Sequence, residues 1–415
     1  MFLLSGWFLM LPLLISSLDL PSTSSWRKPG ITASREERIN RTAAAIDMFI
    51  KSDTFFNSPP PQPLPNKSWP YGELLAEIAD FDILTNQTRY KEVVQKYYLP
   101  ALQDLVPLQS RYGYAAARAY LAYKDDAFLT VAERYWASAR ALTLSDEEVA
   151  VGKSSAKTNI TIPKDCTSSG TTLAGGTFHD ALDDNDGVIT AASTGDYMAL
   201  TLSLAMSTPN QTYTDLAKEM SNFLLSVMYK GSGVVSDDVI IQQTGACIVQ
   251  ENRFDKPYNT GAVIQGLSML ASVTEDSDSG VMSDLRDITL VAITNASWYT
   301  DDGILDLSDR TNEYSQRLLR SYFDLTVGND TPTDLKTYLQ QYIAVQRYST
   351  TPAEIHRGTV HCQPFNHNYG NAPPRGIPHR EDSRMYSINY DYEQRGRIVN
   401  FRTSYWVPQS PKPHE

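Results

Sequence analysis

Pairs of consecutive aspartates are the residues of this chain whose type and spacing could do chemistry. Four pairs stand in polar stretches between apolar, periodic segments: Asp125–Asp126, Asp183–Asp184, Asp237–Asp238 and Asp301–Asp302. Two carboxyls about 5 Å apart can hydrolyse a glycoside with retention, because one attacks the anomeric carbon while the other protonates the leaving oxygen. Asp125–Asp126 lies in a short turn, where aspartate suits a helix cap. The other pairs lie in long loops, and we take Asp183 and Asp184 as the first catalytic candidates, with Asp301 and Asp302 second.

The loop from Cys166 to Thr190, CTSSGTTLAGGTFHDALDDNDGVIT, holds further groups that suit a ligand site. Gly176 follows another glycine and permits a close backbone approach. Phe178 offers a stacking surface, and His179 offers a hydrogen-bonding group. The alternative is cation binding, but the glycine and glutamate positions of an EF-hand loop are not matched, which leaves only an irregular cation site open. We predict no metal site.

Aromatic residues flank the same loops and could stack on sugar rings, although core packing would use them equally well. The candidates for substrate binding are Trp69, Tyr112 and Tyr258, with Asn259 beside the last. The chain has no nucleophile elbow, phosphate-binding glycine loop or dinucleotide fingerprint, so no cofactor is predicted. The acidic body, with 27 Lys+Arg against 42 Asp+Glu in residues 1–346, argues against nucleic acid as a partner.

The elements that must position these residues are helices, because apolar residues recur at three- and four-residue spacing along the chain. Eleven helices are predicted up to Gln346, and short polar turns alternate with long loops between them. If successive helices run antiparallel, every long loop emerges at one end of the assembly, where function is commonly placed. An open solenoid is the alternative, but irregular hairpins favour an all-α (α/α)6 toroid. Six hairpins need twelve helices, and the twelfth is expected after Gln346.

The termini and cysteines suggest an exported protein. Residues 1–18 contain a short apolar run that suits a secretory signal peptide, with a buried helix as the alternative and no membrane span expected. A disulfide is predicted between Cys166 and Cys247, which leaves Cys362 over. We expect a secreted monomer. Seven Asn-x-Ser/Thr sequons predict surface glycosylation, at Asn40, Asn66, Asn86, Asn159, Asn210, Asn295 and Asn329.

Four stretches in order carry a resemblance to a known family: PYGELLAEIADFDILTNQTRY, RYGYAAARAYLAY, LAGGTF and YNTGAVIQGLSML. Together they resemble fungal secreted proteins of glycoside hydrolase family 76, over residues 25–346. The resemblance implies an (α/α)6 toroid and places the chain near endo-α-1,6-mannanases and relatives that remodel cell-wall mannan. It also implies that Gly176 and the Tyr258-Asn259 motif lie at a sugar groove. The family's catalytic Asp-Asp opens the fourth helix, but the corresponding stretch, from Pro107 to Arg118, contains no carboxylate.

Two hypotheses follow for the function. The first is a retaining hydrolase or transglycosidase acting on fungal α-mannan through relocated carboxylates, and the second is a catalytically inactive glycan-binding protein on the same scaffold. Cell-wall polysaccharide or oligosaccharide is the expected partner in both. Residues 347–415 carry nine basic and six acidic residues and five of the six histidines. They show no helical period, so we expect an irregular tail there, which a shifted reading frame or a mispredicted exon would explain.

Overall fold

The computed structural model describes residues 20–23, 25–26, 33–57, 69–103, 110–164, 166, 171–229, 235–250, 256–274, 280–295, 297–305, 316–328 and 330–346. The expected signal peptide, the sequons at Asn66 and Asn329, the twelfth helix and the irregular tail lie outside these residues. Within them, fourteen α-helices and three short strands are found. No described helix is both long enough and apolar enough to span a membrane.

Five helices form an inner ring, in which each contacts the next in the order given. They are α3 (Trp69–Thr85), α6 (Ser110–Tyr123), α9 (Ala191–Ser207), α11 (Pro257–Thr274) and α13 (Gln316–Val327). The helices that precede, separate and follow them in sequence pack outside this ring. They are α1 (Arg35–Ser52), α4 (Lys91–Val93) continued by a π-helical turn (Val94–Tyr98) into α5 (Leu99–Gln103), α7 (Asp126–Arg140), α10 (Gln211–Phe223) with a π-helical turn (Leu224–Tyr229), α12 (Gly280–Thr294) and α14 (Thr333–Gln346). The predicted all-α toroid of helical hairpins is confirmed. Two short helices, α2 (Thr54–Asn57) and α8 (Asp146–Val151), lie in the longer connections.

The inner helices are apolar around most of their circumference, as helices enclosed by others must be. Nearly every residue of α9 and α11 before the last turn is buried. Two glycines allow these helices to approach closely: a Cβ at Gly195 would lie 2.7 Å from the backbone of Ala262, and one at Gly261 would lie 2.6 Å from the nitrogen of Leu318. Larger residues at either position would force α9, α11 and α13 apart.

The outer helices are amphipathic, and side chains of the short turns begin several of them. On α7, Phe128, Val131, Ala132 and Tyr135 face the interior at three- and four-residue spacing. The side chain of Asp125 accepts a hydrogen bond from the backbone nitrogen of Ala127, so the predicted capping role of this aspartate pair is confirmed. Asn210 caps α10 in the same way.

The turns that leave the inner helices contain two to five residues, so successive helices run antiparallel. All five inner helices therefore begin at one end, which we call the looped end because the long connections emerge there. Two of these connections build a small antiparallel sheet that sequence periodicity did not identify. Its strands are β1 (Val188–Thr190), β2 (Asp238–Ile241) and β3 (Cys247–Val249), in that order. The predicted disulfide between Cys166 and Cys247 is confirmed and joins the two connections.

Candidate functional site

Asp183 and Asp184, the first catalytic candidates, lie exposed on the loop before β1. The carboxylate of Asp183 accepts hydrogen bonds from the backbone nitrogen of Asn185 at 2.9 Å and from its side-chain nitrogen at 3.0 Å. These bonds hold the pKa of Asp183 below its ordinary value. The ammonium of the buried Lys157 donates a hydrogen bond to the backbone carbonyl of Asp183 and so holds the turn in place. Asp183 is thus an ionised side chain in contact with solvent.

Asp301 and Asp302 lie in a tight turn that ends at Gly303, whose φ is +83°. The hydroxyl of Thr300 donates to Asp302 at 2.6 Å, while the side chain of Asp301 is exposed. The turn is closed by backbone bonds, including one from the nitrogen of Thr300 to the carbonyl of Ile304. A catalytic role for either aspartate stays a prediction, as it does for Asp183 and Asp184.

The predicted substrate-binding residues divide into covered and accessible ones. Tyr112, Gly176 and Phe178 are buried, and Asn259 is buried with its side-chain nitrogen donating to Asp237. His179 is exposed and Tyr258 is half-buried. Trp69 begins α3, and its side chain lies outside the described part of the structure. Only His179 and Tyr258 of this set therefore have a described side chain that a ligand could reach without displacement.

Arg111, in the first turn of α6, stands in the stretch where the family resemblance places a catalytic aspartate pair. Arg111 is 3% exposed, and its guanidinium forms an ion pair with Glu73 of α3. It also approaches Asp196 of α9 at 3.4 Å and donates to the side-chain oxygen of Gln265 of α11 at 3.0 Å. Asp196 is paired a second time, with Arg317 of α13. Four charged side chains from four inner helices thus meet at the position of the expected nucleophile and acid.

A second layer of charges lies deeper along the same helices. Asp80 of α3 accepts from the side chain of Arg118 of α6 at 2.6 Å and pairs with Arg320 of α13. Arg320 also binds Asp324 at 2.7 Å. Burial raises the pKa of Asp80, but the two arginines outweigh it and hold this pKa below its ordinary value. The centre of the ring is therefore filled by ion pairs whose charges balance locally. We call the two layers together the ionic core.

The ionic core was not identified from the sequence, although a signal for it exists. Its members recur at three- and four-residue spacing on helices whose other residues are mostly apolar. These positions are Glu73, Glu77 and Asp80 on α3, then Arg111 and Arg118 at a spacing of seven on α6, then Arg317, Arg320 and Asp324 on α13. Charges at that spacing on an apolar helix form one stripe, and the stripe must face either solvent or a partner of opposite charge.

Asp238 is a second group that sequence reasoning noted only as one of a pair. It begins β2 and is partly buried between Lys256, His179 and Asp186, which interact with its charge. Burial raises the pKa of Asp238, and Lys256 and His179 act against that rise. Asp237, its neighbour, is buried and accepts from Asn259. Among the residues that the structure describes, no three His, Cys, Asp or Glu side chains are grouped so that they could hold a metal ion.

The chain was compared with known protein families, curated proteins and solved structures. The profile of glycosyl hydrolase family 76 matches residues 41–305. No curated protein matches the chain. Among solved structures, an inactive variant of the α-1,6-mannanase GH76A of Salegentibacter sp. HEL1_6, altered at two consecutive aspartates and bound to α-1,6-mannotetrose, has a TM-score of 0.56 at 16% identity. The match covers 75% of this chain and 86% of the mannanase.

Two further structures share the fold. A family 76 mannosidase from Bacteroides thetaiotaomicron VPI-5482 has a TM-score of 0.51 at 15% identity, over 71% of this chain and 83% of its own. Dfg5 from Chaetomium thermophilum, in complex with glucosamine, has a TM-score of 0.52 at 14% identity, over 76% of this chain and 78% of its own. At these identities the likeness shows a common fold and no more. With the family profile matching well over half of its length, the chain belongs to glycosyl hydrolase family 76.

Proposed function

We propose that the protein recognises α-1,6-linked mannan of the fungal cell wall without cleaving it. The observation that carries this proposal is Arg111 at the start of α6, ion-paired with Glu73 and close to Asp196. Retaining hydrolysis needs one free carboxylate as nucleophile and one protonated carboxyl as acid. Glu73 and Asp196 both pair with buried guanidinium groups, so neither is a free carboxylate of the kind that this mechanism needs.

The choice of mannan rests on the family and on its structural relatives. Several of the similar structures are described as α-1,6-mannanases, two of them with bound α-1,6-mannooligosaccharides, and the relatives include the fungal Dfg5. The stretch from Pro107 to Arg118 contains no carboxylate, while the ring of helices is retained. This combination fits a protein that binds sugars on the family's scaffold. The earlier resemblance of the Tyr258-Asn259 motif to a groove motif supports the same proposal.

The test is a paired binding and turnover measurement on the purified protein. We expect retardation in affinity electrophoresis through gels that contain α-1,6-mannan, and no retardation in gels that contain an unrelated β-glucan. We expect no release of reducing ends from the same mannan over a time in which an active α-1,6-mannanase digests it. Release of mannooligosaccharides by the wild-type protein would contradict the non-catalytic proposal, and absence of retardation would contradict mannan recognition.

A second candidate function is retaining hydrolysis or transglycosylation by relocated carboxylates. The observation in its favour is that Asp183 is exposed, ionised and adjacent to Asp184. If the wild type turns over mannan, Asp183→Asn or Asp184→Asn should abolish release of mannooligosaccharides, and Asp301→Asn and Asp302→Asn test the other pair. Unchanged turnover in the variants of a pair would remove that pair from consideration.

We also propose that the protein is secreted and glycosylated. The disulfide between Cys166 and Cys247 is typical of oxidising compartments. Four sequon asparagines have exposed side chains, namely Asn40, Asn86, Asn159 and Asn210, and Asn295 is half-buried in a turn closed by its own side chain. Expression in a fungal host should yield protein in the medium whose apparent mass falls on enzymatic removal of N-glycans. Retention in the cell, or an unchanged mass, would contradict this proposal.

A further inference from the structure

The outer face of the small sheet carries a row of aliphatic side chains that the helices leave partly uncovered. The strands are paired so that Val188 of β1 lies opposite Ile240 of β2, which in turn lies opposite Ile248 of β3. Val239 and Ile241 of β2 are buried, and side chains alternate between the faces of a strand, so this row faces away from the ring. Val188 and Ile240 are partly exposed, and Ile248 is 50% exposed. We call these three side chains the apolar row.

Carboxylates flank the apolar row on both sides. Asp238 precedes Ile240 by two residues on β2 and therefore lies on the same face of the sheet. Asp186 precedes Val188 by two residues, and its side chain accepts a hydrogen bond from the backbone nitrogen of Val188 at 3.0 Å. Because β1 and β2 are antiparallel, these two carboxylates lie on opposite sides of the row.

The wider surroundings of the apolar row are also acidic. Asp183 and Asp184 are exposed in the turn before β1, and beside them Leu182 is 77% exposed. Lys256 interacts favourably with Asp238 and offsets a part of the negative charge. A second copy of the chain would bring the same carboxylates against these, so self-association through this face is disfavoured. An apolar row between carboxylates is instead complementary to a segment that carries both apolar and cationic side chains.

The chain itself contains a segment of this chemistry, beyond the described residues. Residues 394–414, QRGRIVNFRTSYWVPQSPKPH, include three arginines and one lysine and contain no Asp or Glu. Arg397, Val399 and Phe401 follow one another at a spacing of two, the spacing that puts side chains on one side of an extended chain. We call residues 394–414 the cationic segment.

The cationic segment is joined to the ring at the end where the small sheet lies. The side chain of Gln346, the last residue of α14, donates to the carbonyl of Gly303 at 2.7 Å and accepts from the nitrogen of Leu305 at 2.8 Å. Both partners belong to the connection that leads into α13, at the looped end. The 47 residues between Gln346 and the segment span about 70 Å even at the helical rise of about 1.5 Å per residue, and a domain of this size is roughly 50 Å across. The segment can therefore reach the sheet.

We propose that the cationic segment docks on the outer face of the small sheet, with its apolar side chains against the apolar row and its arginines beside Asp186 and Asp238. The contact is intramolecular and does not depend on glycan binding, so it goes beyond the proposed function. It also gives the charge difference between the acidic body and the basic residues 347–415 a structural role, because the most basic part of the tail meets an acidic face of the ring.

Photochemical cross-linking of the full chain tests the contact directly. The variant Ile248→p-benzoylphenylalanine places a photoreactive group in the apolar row. Met206→p-benzoylphenylalanine is the matched control, because Met206 is 52% exposed near the C-terminal end of α9, at the opposite end of the ring. After irradiation, mass spectrometry should find position 248 linked to residues 394–414 of the same molecule, and position 206 not linked to them. Links from position 248 to a second copy, or to no residue of the cationic segment, would overturn the proposal.

Limited digestion of the full chain with trypsin gives a second readout. The rate of cleavage after Arg397 and Arg402, divided by the rate after Arg357 outside the segment, follows the undocked fraction. Ile248→Ser should raise this ratio about threefold to tenfold, because docking then buries less apolar surface, while Met206→Ser should leave it within twofold. Raising the salt concentration from about 0.05 M to about 0.5 M should also raise it, since salt screens the charges. A ratio that Ile248→Ser leaves unchanged, or that both variants raise equally, would overturn the proposal.

Discussion

Asp80 and Asp183 carry the same carboxyl group at opposite extremes of environment. Asp80 is 2% exposed in the ionic core and is held ionised by Arg118 and Arg320, whereas Asp183 lies in water and is held ionised by the amide groups of Asn185. The pKa is lowered for both carboxyls, but by different groups. We therefore expect the loss of these groups to destabilise the protein by different amounts. An ionised carboxylate is therefore part of the packed interior in the ring and a solvated turn residue on the loop. A low pKa alone therefore does not identify a nucleophile.

The largest effect is expected from removal of the cation that the carboxylates of the ionic core share. Arg320→Met leaves Asp80 and Asp324 buried without that cation, and we expect a loss of about 3–5 kcal/mol in the free energy of unfolding. Urea denaturation measures it. The control is Arg41→Met, which breaks the exposed pair with Glu37 and should cost less than about 1 kcal/mol.

A double variant keeps this prediction testable if Arg320→Met does not fold. Combining Arg320→Met with Asp324→Asn removes the carboxylate that has lost its cation and leaves the pair of Asp80 with Arg118 intact, so part of the lost stability should return. Equal losses for the buried and the exposed arginine would contradict the view that the ionic core supports the ring.

The next largest effect is expected at the looped end, where a disulfide bond holds the long connections together. The double variant Cys166→Ser, Cys247→Ser removes the disulfide between residues that lie 81 positions apart in sequence. We expect it to lower the free energy of unfolding by about 2–4 kcal/mol. Hydrogen exchange should speed up in β1–β3 and remain unchanged in α11. A uniform increase over both regions would show that the connections and the ring unfold as one unit. Reduction of the wild-type protein should reproduce the result, and the double variant should not respond to the reductant.

Acid should affect the two carboxylates differently. Because the folded-state pKa of Asp80 lies below its ordinary value of 3.8, the ionised form of Asp80 contributes stability that is complete above that value. This stability is lost as the pH falls through the lower, folded-state pKa. Unfolding midpoints measured from pH 6 to pH 2.5 should fall less steeply for Asp80→Asn than for the wild type. Asp183→Asn should follow the wild-type curve closely, because solvent screens the exposed carboxylate. Parallel curves for all three proteins would contradict the assignment.

The smallest effect is expected from the acidic loop itself. Asp183→Asn and Asp184→Asn should leave the midpoint of thermal unfolding unchanged within error, because both side chains are exposed. The measurement is differential scanning calorimetry at pH 7. A clear destabilisation by Asp184→Asn would contradict this prediction and would show that the aspartate contributes to the stability of the ring.

Much of the fold could be predicted because its signals are local. Apolar residues at three- and four-residue spacing give the helices, and Asp125 and Asn210 cap the helices that follow them as short polar turns suggest. The pairing of Cys166 with Cys247 was also predicted correctly. The sheet was missed because its strands contain three or four residues, which is too few for a period of two to be separated from an irregular loop.

The candidate site was harder to predict, for a reason of chemistry. Adjacent aspartates attract attention as acid and base, but Asp183 and Asp125 each accept from a backbone nitrogen two residues later, as turns and caps require. Arg111 and Arg118 on an alanine-rich helix were the more informative residues, since a charge there must find a buried partner. That partner comes from helices distant in sequence, such as α3 and α9, and the pairing can be recognised only in three dimensions.

The parallel orientation of the inner helices has an electrostatic consequence for anything bound at the looped end. Each α-helix carries a partial positive charge of roughly half an elementary charge at its N-terminus. Five such ends point the same way, and the carboxylates of Glu73, Asp196 and Asp237 lie near the first turns of α3, α9 and α11. The resulting positive potential favours the ionised over the protonated form of any carboxyl group that lies at the looped end.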